Sequence, residues 1–142
     1  PFPWPGKPSP DNPHRAPVLN VPDAVERRLT PPAQALLDLR QSILLHPDTH
    51  GLTRAQVGGP TDLYNLFDDP QCETPAIQQL RQAHLDLELA VLREYGWQDL
   101  HGPWTFDRPW LDGTWRFVPP AATRRAYLER LAELNLTRTQ AL

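Results

Sequence analysis

The sequence predicts a mainly α-helical protein: a small helical bundle with a short aromatic-rich β-hairpin and an extended proline-rich N-terminal arm. Three observations support this prediction. A helical pattern without glycine or proline fills residues 76–95, and two further segments repeat apolar residues at helical spacing. Four of the five tryptophans fall in one short stretch after residue 96. At 142 residues, the chain is long enough for one domain with its own core.

The composition excludes several classes of protein. The net charge of −3 gives no global signature of a nucleic-acid-binding protein, although a basic face can lie on an acidic chain. A single cysteine, Cys72, cannot form an internal disulfide and fits a reducing compartment. No apolar run approaches the length of a membrane span. We therefore expect a cytoplasmic protein without a membrane partner.

The chain is predicted to divide into an arm, residues 1–19, and a helical domain, residues 20–142. The arm carries seven of the 18 prolines, which exclude helix interior and central strand there. We predict that it is a linker from an upstream domain. The chain also begins at Pro1 and has no methionine, which indicates an excised or processed part of a longer protein.

The first helical segment is predicted from Asn20 to Leu45, with Asn20 as its cap and an interruption or kink at Pro31 and Pro32. A short amphipathic helix follows at residues 61–67, with Thr61 as its cap. Each segment has one apolar face, so both are expected to pack on a common core.

The central helix is predicted between Thr74 and Tyr95. Thr74 can cap it, Pro75 suits its first position, and Gly96 can adopt the left-handed conformation that ends it. Its apolar stripe is too wide to remain in water, so other helices must cover it. The stripe comprises Ile77, Leu80, His84, Leu87, Val91 and Tyr95, widened by Leu85, Leu89 and Leu92.

An aromatic hairpin and a last helix complete the predicted fold. The two strands are expected at residues 104–106 and 114–118, joined by a turn at Asp112-Gly113. The last helix is predicted to open at Pro119-Pro120 and to run to about Leu136. Its inward face is predicted to consist of Ala121, Tyr127, Leu128, Leu131 and Leu134.

No catalytic or metal-binding constellation stands out. The sequence lacks the phosphate-binding, dinucleotide-binding, zinc-protease and hydrolase motifs. His46 and His50 flank Asp48, but this loose spacing is more typical of solvated loop histidines than of a metal site. Cys72 has neither a second cysteine nor an evident histidine base.

Three segments carry a resemblance in chain order. The first is residues 61–65, of the pattern threonine-x-leucine-tyrosine-asparagine. The second runs from Leu80-Arg81 to the Tyr95-Gly96-Trp97 stop, and the third from Trp115-Arg116-Phe117 through three spaced leucines to Asn135. Together they resemble the C-terminal region of large bacterial adenine-N6 DNA methyltransferases of restriction–modification and phage-defence systems, including fused restriction–methylation enzymes. The second segment is the most specific of the three.

The resemblance implies that the chain is a non-catalytic C-terminal helical domain. Such a domain would support target recognition beside the upstream methyltransferase and target-recognition domains of its parent, with DNA as a further candidate partner. The parent would use S-adenosylmethionine and an Asn-Pro-Pro-Tyr type motif, and could also be an endonuclease. The chain itself would hold no cofactor and no metal, and no residue is assigned a catalytic role. Two departures from the family pattern are Glu88, where aspartate is usual, and an insertion at residues 53–60.

Two sets of site residues follow. A structural polar seam along the central helix and its neighbours is predicted from Tyr64, Asn65, His84, Glu88, Tyr95 and Trp97. Three arginines of the last helix are candidates for contacting the DNA backbone: Arg124, Arg125 and Arg130.

Two other functions remain open from the sequence. The first is a stand-alone protein-interaction module whose partner binds the hairpin around Trp104, Trp110 and Trp115. The second is a small enzyme that uses Cys72 or the histidine pair His46 and His50.

Overall fold

Helices and one small hairpin make up residues 21–140, the part of the chain that the computed structural model describes. The predicted arm and the predicted cap Asn20 lie outside these residues. The elements are α1 (Asp23–Leu45), α2 (Pro60–Phe67), α3 (Pro75–Tyr95), β1 (Thr105–Asp107), β2 (Arg116–Val118) and α4 (Ala121–Gln140), with 3₁₀ turns at Pro47–His50 and Gln98–Leu100. The mainly α prediction with a hairpin is confirmed.

Helix α1 is continuous, so the interruption predicted at Pro31 and Pro32 is wrong. Each proline removes one amide donor, but the helix packs against α3, and that packing offsets the loss. At its C-terminal end, Arg54 donates hydrogen bonds to the carbonyl oxygens of Leu44 and Leu45 at 2.8 and 2.9 Å. These bonds satisfy two carbonyl groups that a helix end leaves without partners.

Helix α2 begins one residue earlier than predicted. Pro60 takes the first helical position and Gly59 the cap position, so the prediction of Thr61 as cap is wrong. Proline is well suited to a first position because its missing N–H would have no partner there. Leu63 and Phe67 on its inner face are buried.

Helix α3 has the predicted bounds. Thr74 occupies the cap position, although its side chain makes no capping bond, and Pro75 follows at the first helical position. Gly96 ends the helix at φ 71°, the left-handed conformation that glycine adopts without steric cost. None of the helices within residues 21–140 is long and apolar enough to cross a membrane.

The core lies where α1, α2 and the N-terminal half of α3 meet. Five of its side chains are essentially inaccessible to water: Ile43, Val57, Leu63, Ile77 and Leu80. The hairpin covers one side of this core with Trp104 and Phe117. Two contacts to Asp68 at the end of α2 hold the hairpin there: Phe117 donates its backbone N–H at 2.9 Å, and Arg116 lies 3.6 Å away.

The two strands pair antiparallel, with Phe106 opposite Phe117. The first lies one residue later than predicted, and the second is two residues shorter. Gly113 lies at φ 68° in the turn that the sequence predicts. The loop between the strands exposes Trp110, Leu111 and Trp115, with exposed fractions of 56%, 109% and 42%.

Helix α4 is longer than predicted and packs loosely. It ends at Gln140 and has no buried residue. Ala121 and Leu128 were predicted to face inward, but both are exposed, so that part of the prediction is wrong. The helix rests on a narrow strip that includes the half-buried Tyr127, Leu131 and Leu134.

Three polar contacts link α4 to the rest of the fold. Arg124 bonds to Asp107 of β1 at 3.0 Å, and Arg130 bonds to Asp99 of the second 3₁₀ turn at 2.5 Å. Tyr127 donates its hydroxyl hydrogen to Glu88 of α3. Each bond reaches a different element, and the two arginine pairs lie near the surface, where ion pairs contribute little stability.

Candidate functional site

His84, in the middle of α3, bonds to α2. Its Nε2 lies 3.0 Å from the hydroxyl oxygen of Tyr64. The imidazole also packs edge-on against the rings of Tyr64 and Phe67, with centroid distances of 5.7 and 4.9 Å. The side chain therefore fixes α2 against α3 through one hydrogen bond and two ring contacts.

Glu88, one turn further along α3, bonds to two other elements. Its Oε2 accepts a hydrogen bond from the indole N–H of Trp104 at 2.8 Å, and its Oε1 accepts the hydroxyl hydrogen of Tyr127. His101 Nδ1 lies 3.6 Å from Oε2. Burial, followed by the bond to Glu88, raises the pKa of Tyr127 well above its usual value, so the phenol stays protonated.

The structure thus brings together part of the predicted seam. His84 and Glu88 share a helical face but do not bond to each other, since each reaches across to a different element. Tyr95 and Trp97 stack on one another, with centroids 4.7 Å apart, at the C-terminal end of α3. Asn65 is exposed on α2 and lies outside the seam.

Arg81 is the polar residue that the sequence analysis did not assign to a site. Its exposed fraction is 5%, and it is the buried charged side chain of the described residues. The guanidinium has five N–H donors, and five acceptors surround it. They are the carbonyl oxygens of Leu66, Phe67, Asp69 and Cys72 and the amide oxygen of Gln78.

Through these bonds Arg81 holds the end of α2 and the following loop against α3. The guanidinium carbon also lies 4.9 and 5.5 Å from the ring centroids of Phe106 and Phe117, so the hairpin packs over it. Burial lowers the pKa of Arg81 from its ordinary value, but a guanidinium remains charged at neutral pH. Arg81 lies in the second and most specific of the resembling segments, and this was the sequence signal that could have identified it as a site residue.

The three candidate DNA-contacting arginines do not form one free cationic surface. Arg124 bonds to Asp107 and to the carbonyl oxygen of Pro119, and Arg130 bonds to Asp99 and lies over the Trp97 ring. Arg125 is exposed on α4.

Two of the candidate catalytic residues contact hydroxyl groups of other residues. No group of three or more histidine, cysteine or acidic residues suited to a metal ion occurs within residues 21–140. His50 Nε2 instead lies 2.8 Å from Ser42 Oγ, which links the first 3₁₀ turn to α1. Cys72 is half-buried, with its sulfur 3.8 Å from Thr74 Oγ1.

An apolar groove separates the C-terminal half of α3 from α4, and we call it the α3–α4 groove. Its volume is about 350 Å³. Glu88, Trp104 and Tyr127 close one end, and Trp97 lies at the other end of α3. The remaining lining is Leu87, Val91, Leu92, Tyr95 and Leu131, with His84 at the edge.

Acidification should destabilise the protein through His84. Burial, with a smaller effect of the Arg40 charge, lowers its pKa below the ordinary value of 6.5. As the pH falls through the ordinary value, the unfolded chain therefore takes up a proton at a higher pH than the folded chain does, and stability falls. We expect His84→Gln to reduce this loss in urea unfolding, whereas His46→Gln, at an exposed site, should not. Equal losses in all three proteins would contradict this expectation.

The comparisons with known proteins add no relative. No protein-family model matches the chain, and no curated protein or solved structure matches it.

Proposed function

We propose that the chain is the non-catalytic C-terminal helical domain of a bacterial adenine-N6 DNA methyltransferase or fused restriction–methylation enzyme. In this role it supports the upstream methyltransferase and target-recognition domains. S-adenosylmethionine is bound by the parent and not by this domain. The proposal begins from the three resembling segments, which occur in the family's order along the chain.

One observation supports it best. The polar residues of the resembling segments direct their hydrogen bonds within the domain: Arg81 to the α2–α3 loop, His84 to α2, and Glu88 to the hairpin and α4. No buried side-chain nitrogen or oxygen within residues 21–140 lacks a partner. A catalytic acid or base needs a lone pair or proton aimed at a substrate, whereas these groups already hold the fold together.

A methyl-transfer assay tests the absence of catalysis. The chain is incubated with radiolabelled S-adenosylmethionine and unmethylated duplex DNA, beside an active adenine methyltransferase as positive control. We expect no label in the DNA above a control without protein. Label transfer that rises with the concentration of this chain would overturn the proposal.

Contact with DNA through α4 should depend mainly on Arg125, because acidic partners already hold Arg124 and Arg130. In a titration on duplex DNA over a salt series, log K falls by about 0.9 per phosphate neutralised for each unit of log salt. We expect Arg125→Ala to reduce this slope by about one phosphate contact. Arg93→Ala, which removes the same charge from an exposed site on α3, should leave the slope unchanged. Equal slopes for Arg125→Ala and the unmodified chain would exclude this contact.

The exposed hairpin loop favours a second candidate, the stand-alone protein-interaction module. Trp110 and Trp115 are exposed, with the guanidinium groups of Arg116 and Arg108 over their rings. Trp104 does not belong to that surface, because it bonds to Glu88 and packs on the core. The encoding reading frame separates the two candidates: only the methyltransferase domain requires an upstream coding sequence with the cofactor and catalytic motifs.

A further inference from the structure

The α3–α4 groove is an apolar surface that the described residues leave open. Aromatic rings of Tyr95, Trp97, Trp104 and Tyr127 contribute to its lining, and aliphatic side chains supply most of the rest. The two helices that form it are joined at one end by the Glu88–Tyr127 bond. When an apolar segment fills such a groove and displaces its water, the free energy of the protein and solvent falls.

Aromatic-lined grooves are well suited to proline-rich segments. Such segments favour the extended polyproline II conformation, so little conformational entropy is lost on binding, and proline rings pack flat against aromatic rings. Residues 1–19 of this chain contain seven prolines together with Phe2 and Trp4. This segment therefore has the composition that the groove fits.

We propose that the N-terminal arm of the same molecule binds in the α3–α4 groove, with Phe2 or Trp4 inserted among its apolar side chains. The start of α1 lies beside the groove: Arg28 Nη2 bonds to Glu94 Oε2 at 2.9 Å, next to Tyr95. Trp4 and Val21 are 17 positions apart, and a polyproline II chain of that length would reach about 50 Å, more than the length of about 31 Å of α3. The reach suffices for any point in the groove.

This contact would fix the direction in which the chain enters the helical domain, and it does not depend on the proposed function. If the parent is a methyltransferase, a bound arm would also set how the domain is oriented on the upstream part. If the chain acts alone, a bound arm would cover an apolar surface that favours aggregation.

Nuclear Overhauser effects in the isotope-labelled full chain test the proposal, at a concentration where sedimentation gives the monomer mass. We expect cross-peaks from the ring protons of Phe2 or Trp4 to the methyl groups of Val91 and Leu131. Leu131→Asp should abolish them. Leu128→Asp is the matched control, because its side chain is 70% exposed on the same helix, and it should retain them.

A second variant keeps the test independent of any damage to α4. The double variant Phe2→Ala/Trp4→Ala should shift the methyl resonances of Val91 and Leu131 and leave those of Ile43, in the core, unchanged. Three results would overturn the proposal: no cross-peaks from the groove to residues 1–20, cross-peaks to a small molecule that copurifies, or cross-peaks that appear only when the mass doubles. The last result would assign the groove to a second copy of the chain.

Discussion

Arg81→Ala should lower the free energy of unfolding by about 3–5 kcal/mol, the largest single effect that we expect. The substitution removes five N–H donors at once. The carbonyl oxygens of Phe67 and Cys72 lose the guanidinium bond and have no other donor, whereas those of Leu66 and Asp69 keep a backbone bond. Each buried acceptor left without a bond costs about 1–3 kcal/mol, and water entering the site would recover part of that. It also removes a guanidinium that packs against Phe106 and Phe117.

Urea unfolding, followed by circular dichroism, measures this loss. A domain of this size has a total stability of about 5–15 kcal/mol, so Arg81→Ala could be too unstable to purify. Arg81→Lys covers that case: it keeps the charge but has three donors and no planar fork, and we expect a loss of about 2 kcal/mol. Arg93→Ala, at an exposed site on the same helix, should stay within about 0.5 kcal/mol of the unmodified protein. A loss that small for Arg81→Lys would refute the structural role of Arg81.

Glu88→Ala should lower the free energy of unfolding by about 2–4 kcal/mol and release α4. The indole N–H of Trp104 and the hydroxyl of Tyr127 both lose their acceptor, and the carboxylate that they share is only 13% exposed. Because α4 has no buried residue, it depends on such polar contacts more than α1 or α3 does.

Hydrogen exchange distinguishes release of α4 from general destabilisation. In Glu88→Ala, the amides of α4 should exchange faster by a larger factor than those of α1, since local opening then precedes global unfolding. Glu129→Ala removes an exposed carboxylate from α4 itself and should leave both rates unchanged. An equal increase in α1 and α4 would mean that Glu88 stabilises the whole fold and is not a specific anchor of the last helix.

Helix α3 shows how much of the fold could be predicted. Its ends carry local signals, a proline at the first helical position and a glycine after the last, and the structure has both where the sequence predicts them. Helix α1 differs because packing along α3 keeps the helix intact through Pro31 and Pro32. That packing involves residues more than 30 positions away, so no local rule contains it.

In the site, too, local sequence patterns were predictive and tertiary contacts were not. The i, i+4 spacing of His84 and Glu88 predicts a shared face correctly, but their partners are set by how α2, the hairpin and α4 fold back on α3. Arg81 was not predicted as a site because an arginine on a helix is usually solvated. Its burial depends on the tertiary position of four carbonyl groups, two at the end of α2 and two in the loop that follows. The inward face of α4 was predicted too wide for a similar reason: the helix rests on the bundle along only one strip.

The coding sequence upstream of Pro1 tests the central claim most directly. We predict that sequencing the encoding DNA will show an open reading frame that continues upstream and encodes an Asn-Pro-Pro-Tyr type motif preceded by a glycine-rich cofactor-binding strand. An initiation codon immediately before Pro1, or an upstream domain without these motifs, would contradict the assignment to a DNA methyltransferase.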